Sequence, residues 1–328
     1  MAEKNNNTPE KKNKFAETRE NFVNAVIESL EKGKIPWQKT WDADCGNNLL
    51  YNPVTGTRYK GVNNIMLIYS SYAKGYEDNR WVTFNQAKEN GWSVRKGEKG
   101  TPIEIFKFYD KSTKKDLDMT MYNSLSPAEK VEYFTKNVYI VAKNYTVFNA
   151  QQVEGIPPVE KKEVKNIDYN KIDKIMENCG VPITHKGSSA FYSPSTDQIF
   201  LPEREAFHSE NDYYATALHE IAHSTGHPSR LNRDLSGKFG SKSYATEELK
   251  AEFASVFIGQ EKGLNYNFEN NIAYIQSWAE VIKNNHEVLF SAIKEASKIT
   301  EMVLGYEKGK VLSKELTKGK DKGNEVEI

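Results

Sequence analysis

His219-Glu220-Ile221-Ala222-His223 places two histidines four residues apart, with a glutamate directly after the first. On a helix of about 3.6 residues per turn, the two imidazoles lie one above the other on one face with Glu220 beside them. Two histidines so spaced bind zinc, and the intervening glutamate does acid/base work. The flanking residues support the helix, because Tyr214, Leu218, Ile221 and Thr225 recur at three- and four-residue intervals as an inward stripe. Asp212 is the expected N-cap, and Gly226 is placed to end the helix. The competing reading is an ordinary helix carrying two solvent-facing histidines. A third ligand separates the two readings.

A catalytic zinc takes three protein ligands and keeps a fourth position open for water. Ser229 stands where one zincin pattern has its third histidine, and His227 is one residue after Gly226, so a three-histidine site does not fit. Downstream, Glu247-Glu248-Leu249-Lys250-Ala251-Glu252 opens a helical pattern that runs to near Ile258. Leu249, Phe253, Val256 and Phe257 mark its buried side, while Glu248 and Glu252 share another face. This resembles the gluzincin arrangement, where a glutamate on a second helix completes the site and an acidic residue four positions later orients a ligand histidine. The resemblance implies Glu248 as the ligand and Glu252 as the orienting residue, with the swapped assignment open. Glu-rich segments are usually solvated helix faces. The apolar content of this one argues otherwise.

With 328 residues, the chain is long enough for two domains. A formal net charge of zero excludes a global field for nucleic acid, so any such binding needs a local surface. Its two cysteines, Cys45 and Cys179, form no metal-spaced pair and suit a reducing compartment. No apolar run approaches the length of a membrane span. The Asn- and Lys-rich start lacks the hydrophobic core of a secretory signal. These features predict a soluble, cytoplasmic protein with no membrane partner.

Element patterns predict an α+β chain of two domains. Residues 1–14 read as disordered, and 15–155 as a small mixed α/β domain interrupted by a charged insertion at 111–136. Within that insertion, Ser126-Pro127-Ala128-Glu129 carries a capping-box signature. Residues 156–168 read as a Pro- and Lys-rich linker, 169–306 as the domain holding the metal helices, and 307–328 as a charged tail. Ala190-Phe191-Tyr192 and Gln198-Ile199-Phe200-Leu201 flank a turn-rich segment and predict a hairpin. The strand ending at Leu201 is the candidate to pair with an extended peptide.

Over residues 15–306 the chain resembles the ArdC family of antirestriction proteins. In the first half the resemblance rests on Pro36-Trp37, Asn52-Pro53-Val54-Thr55-Gly56-Thr57-Arg58-Tyr59-Lys60-Gly61, Arg80-Trp81-Val82-Thr83-Phe84-Asn85-Gln86-Ala87 and Val94-Arg95-Lys96-Gly97-Glu98-Lys99-Gly100. In the second half it rests on Tyr192-Ser193-Pro194-Ser195-Thr196-Asp197, the histidine helix, Arg230-Leu231-Asn232-Arg233 and the glutamate run. The resemblance implies an N-terminal domain that binds single-stranded DNA and a C-terminal zincin-like, gluzincin-type metallopeptidase domain. It also implies carriage on mobile genetic elements such as plasmids and phages, where incoming DNA is protected from restriction. Host defence proteins are then the candidate peptidase substrates.

Single-strand binders combine a basic groove with aromatic faces for stacking. Arg58, Lys60, Arg80, Arg95, Lys96 and Lys99, interleaved with Trp37 and Trp81, are the candidates here. The competing reading makes the tryptophans core and the basic residues a solvated face. In the expected chemistry Zn2+, or another divalent ion, supplies Lewis acidity and Glu220 takes the proton from water that attacks a peptide carbonyl. Tyr244, just ahead of the glutamate run, is the candidate oxyanion stabiliser. Two alternatives stay open: a DNA-binding shield with a non-catalytic metal site, and a general cytosolic metallopeptidase without a DNA function.

Overall fold

A computed structural model describes residues 14–37, 49–159, 167–264 and 272–309. Most of the expected disordered start, Cys45, most of the linker and nearly all of the charged tail lie outside the described residues. Chain order begins with α1 (Lys14–Glu31), which buries Phe22, Val23, Val26, Ile27 and Leu30 along one face. Next comes α2 (Gly61–Lys74), which ends on the left-handed Gly75. Then follow β1 (Trp81–Thr83), α3 (Phe84–Glu89), β2 (Ser93–Val94), β3 (Thr101–Asp110), α4 (Met119–Ser124), α5 (Pro127–Asn137), β4 (Val138–Asn149) and β5 (Val153–Glu154). The main sheet is antiparallel in the order β1-β4-β3, and β2 pairs β5 separately.

Residues 111–136 sit at the far end of the long β3–β4 hairpin, where Asp110 pairs with Val138. They form a turn and the two short helices α4 and α5, and the Ser126–Glu129 capping box starts α5. Two short helices therefore extend the hairpin without disturbing its register.

The second half contains α6 (Tyr169–Asn178), β6 (Ile183–His185), β7 (Phe191–Ser193), β8 (Gln198–Leu201), α7 (Glu210–Ser224), α8 (Lys242–Lys262), α9 (Ile272–Asn284) and α10 (Glu287–Tyr306). The hairpin pairs Tyr192 with Ile199, but β8 lies in the middle of a β6-β8-β7 sheet. The strand ending at Leu201 is hydrogen-bonded on both sides, so the edges of this sheet are β6 and β7. Among the described residues, no helix is long and apolar enough to cross a membrane.

The two halves form a two-domain α+β arrangement that shares one apolar core. Val23 and Leu30 of α1, Leu67 of α2, Phe253 of α8 and Ile293 of α10 belong to the same buried cluster. Packing of α1 against α9, and of α10 against α2, carries that cluster across the expected domain boundary.

Candidate metal centre

The histidine helix starts earlier than Asp212. Ser209 is its N-cap, accepting from the Asp212 amide at 3.1 Å, and Asp212 lies in the first turn where its charge suits the helix dipole. Beyond Thr225 the chain turns sharply at Gly226. A side chain there would have its Cβ 2.8 Å from the Leu235 side chain and 3.0 Å from the Arg233 guanidinium, so it would have to push both aside, and glycine leaves the return of residues 230–235 undisturbed. Arg233 uses that approach to tie both helices together. It donates to Glu247 at 2.6 Å, to the Thr225 hydroxyl at 2.7 Å and to the Ala222 carbonyl at 3.0 Å. A guanidinium on the last carbonyls of α7 also complements that end of the dipole.

Helix α8 is longer than its sequence pattern, running from the Ser241 N-cap to a left-handed Gly263. Tyr244 is thus inside its first turn, not ahead of it. Packing of α7 against α8 brings His219, His223 and Glu248 together, with one donor atom from each within 4.8 Å of the others. The two Nε2 atoms are 3.2 Å apart. Glu248 lies 3.7 Å from His219 Nε2 and 3.5 Å from His223 Nε2. Ligands about 2.0–2.1 Å from a tetrahedral ion are separated by roughly 3.3 Å, so this donor set fits a divalent metal.

Each histidine is held from behind. His219 Nδ1 is 3.1 Å from the Ser255 hydroxyl, and His223 Nδ1 faces Glu247 at 3.6 Å. Both arrangements leave Nε2 toward the common centre, which is what fixing a ligand tautomer requires. The expected orienting role of Glu252 is therefore corrected. Its carboxylate accepts from Trp37 Nε1 at 3.4 Å instead, because α8 turns Ser255 toward His219 and Glu252 toward the core.

Charge inside the centre follows from that packing. Burial alone would push the His223 imidazole down, but Glu248's charge and hydrogen bonds to Glu247 and Glu248 hold it well above 6.5. Burial would raise the Glu248 carboxyl, yet His223 and His219 hold it far below the usual range. Glu247, opposed in the same way by burial, is brought down to about 2 by His223 and Arg233. Glu220 is buried on α7 and lines the same cavity of about 420 Å³. Tyr244 lines it too, with its hydroxyl 3.0 Å from that of Tyr274. Burial and the charge of Glu248 push the Tyr244 phenol up, so it stays protonated and able to donate.

In the first half, the structure separates the nucleic-acid candidates. Trp37 is 1% exposed and Trp81 is fully buried, so neither can stack on a base. Trp37 packs on Phe253 at 4.6 Å and Trp278 at 6.0 Å, in the shared core. Arg80 is also buried, donating to Asp78 at 2.7 Å and to the Pro157 carbonyl at 2.7 Å. These three expectations are corrected: the residues are structural. Arg58 is exposed but paired with Glu261, and Arg95 bonds Glu98 and the Gln151 carbonyl. Lys60, Lys96 and Lys99 are exposed. Sequence reasoning does not reach Ser255, Glu247 and Arg233 as supports of the metal centre. They carry no spacing signal that distinguishes them from an ordinary helix residue or a loop cation.

Two helices presenting a histidine pair with an interposed glutamate, plus a glutamate from the second helix, define a zincin-type metallopeptidase domain. Residues 170–295 match the zincin-like metallopeptidase family, and residues 16–148 match the N-terminal domain of the anti-restriction factor ArdC. The crystal structure of the antirestriction protein ArdC from plasmid R388 superposes with a TM-score of 0.68 at 31% identity, covering 88% of this chain and 97% of that one. A Mn(II)-bound structure of the same protein matches equally, at 32% identity. The chain belongs to the ArdC family of antirestriction proteins. It is also 41% identical over 296 residues to an Escherichia coli DNA primase TraC, of which it spans 27%. Protein y4eC of Sinorhizobium fredii is 32% identical over 287 residues, 90% of its length.

Proposed function

We propose that this chain is a metal-dependent peptidase of a mobile element that also binds single-stranded DNA, with units at 15–155 and 169–306. The observation that carries the reading is the convergence of His219, His223 and Glu248 beside Glu220 in one cavity. His219, His223 and Glu248 would hold the ion, and the Mn(II)-bound relative supports a divalent metal, zinc being the expected one. When bound, such an ion supplies the Lewis acidity that makes water nucleophilic near neutral pH. Glu220 accepts the proton of that water and delivers it to the leaving amine. Tyr244 donates toward the oxygen on which negative charge develops. Edge strand β7, whose Phe191 and Tyr192 line the cavity, offers its backbone to an extended peptide.

The exposed Lys60, Lys96 and Lys99, with Arg58 and Arg95 beside them, are the proposed phosphate-binding residues. In this reading, DNA brings the peptidase to proteins acting on incoming strands, in the cytoplasm of the recipient cell. The test is casein hydrolysis by the zinc- or manganese-loaded full chain, with and without a single-stranded oligonucleotide. Chelator-sensitive cleavage supports the reading. An inert loaded protein that still binds the oligonucleotide favours a DNA shield.

A further inference from the structure

We propose that the cavity beside the metal centre receives a lysine or arginine side chain of the substrate, with Glu252 as the residue that recognises its charge. This rests on the peptidase reading and names the substrate class of that site.

Among the described residues, five acidic ones, Glu220, Asp234, Glu247, Glu248 and Glu252, line the cavity, and no lysine or arginine does. Four are accounted for. Glu248 belongs to the donor set, Glu220 stands beside it, Glu247 is paired with Arg233 at 2.6 Å, and Asp234 bonds the Ser236 hydroxyl at 2.6 Å. Glu252 remains. It is 2% exposed, and its one hydrogen bond among the described residues comes from the neutral Trp37 indole at 3.4 Å. No cationic side chain of the described residues reaches it. A buried carboxylate without a counter-charge is costly, and arriving cations relieve that cost. Burial holds this carboxyl well above its usual range; the Trp37 hydrogen bond offsets part of the shift, and Glu248's charge adds to it.

The surrounding walls suit such a guest. Ile35, Ile275, Tyr274 and Trp278 line the same cavity and can cover an aliphatic stem, while the aromatic faces favour a cation. Beside Trp37, the buried Trp278 Nε1–H finds no acceptor among the described residues, which leaves a donor for a backbone carbonyl of the guest rather than for its cationic head.

The experiment uses the full chain carrying Glu220→Gln and loaded with Mn(II), so that peptides bind without turnover. Fluorescein-labelled Ala/Gly octapeptides with one central Lys, norleucine, homocitrulline or Glu are titrated by anisotropy. The Lys peptide should bind at least about tenfold more tightly than norleucine or homocitrulline, with Glu weakest. Adding Glu252→Gln should remove that advantage while leaving norleucine affinity within about twofold. Equal binding of Lys and homocitrulline overturns the proposal even if Glu252→Gln fails to fold, and a Lys advantage that survives in folded Glu252→Gln also overturns it. Lys-dependent binding with no hydrolysis by the unmutated chain keeps the subsite and removes the peptidase reading. Hydrolysis without a Lys preference does the reverse.

Discussion

Trp37 Nε1 donates to Glu252 at 3.4 Å across 215 residues of sequence, which places an indole from the first half under the metal helix of the second. The two halves are therefore mechanically continuous. Trp37→Ala should destabilise the full chain by about 3–5 kcal/mol, as truncation of a buried aromatic does. Urea unfolding measures it, and a loss below about 1 kcal/mol would mean the shared core contributes little.

The same continuity predicts how fragments behave. A piece ending near Glu160 leaves the buried faces of α1 and α2 without α9 and α10. It should be aggregation-prone or poorly folded, despite the separate family matches of the two halves. A monomeric fragment with sharp, dispersed amide resonances would show that the interface is dispensable.

Metal content distinguishes ligands from supports. His219→Ala, His223→Ala and Glu248→Ala should each lose the ion, while His227→Ala and Glu252→Ala keep it. Ser255→Ala should lower metal affinity by about 10–100-fold, because the hydroxyl that orients His219 is gone. Elemental analysis after gel filtration reads all six. Retention in Glu248→Ala with loss in Glu252→Ala would reverse the ligand assignment.

Stability of the metal-free chain should fall in acid through Glu247. Its folded carboxyl titrates at about 2, against 4.5 for the free group. A depressed carboxyl stabilises the fold above its unfolded value, and the gain disappears as pH drops from about 4.5 toward 2. Urea unfolding at pH 6 and pH 3 should show part of this loss in the parent and much less of it in Glu247→Gln. Equal pH dependence in the two proteins would contradict the assigned coupling. His223 acts oppositely: its raised pKa stabilises the metal-free fold at low pH, and a metal must displace that proton, so metal affinity should weaken as pH falls.

On the DNA side, Lys96→Ala with Lys99→Ala should weaken single-strand binding and reduce the salt slope by about 0.7 for each phosphate no longer neutralised. Trp81→Ala, by contrast, should unfold the first half, since its ring is fully buried. An unchanged salt slope in the double lysine variant would move the binding surface elsewhere.

The metal centre is largely legible in the sequence because helical spacing alone aligns His219 with His223, and an apolar stripe marks α8 as a helix packed on something. Which way α8 is rolled is not legible. Glu252 and Ser255 sit about 60° apart around the helix and roughly one turn along it, so a modest roll decides which stands behind His219, and only tertiary packing sets it. Trp37, Trp81 and Arg80 mislead for a related reason: indoles and guanidiniums serve core and surface alike, and composition cannot say which. The shared core is hidden by the Pro- and Lys-rich segment near 156–168, which looks like a linker whether or not the flanking halves touch.

The most direct test replaces Glu220 by Gln, nearly the same shape but unable to accept a proton. Side by side, the metal-loaded parent and Glu220→Gln are assayed for metal content, oligonucleotide binding and casein hydrolysis. Metal and DNA binding should be unchanged while hydrolysis falls at least about 10²-fold. Hydrolysis at the parental rate in Glu220→Gln would contradict the general-base role of Glu220.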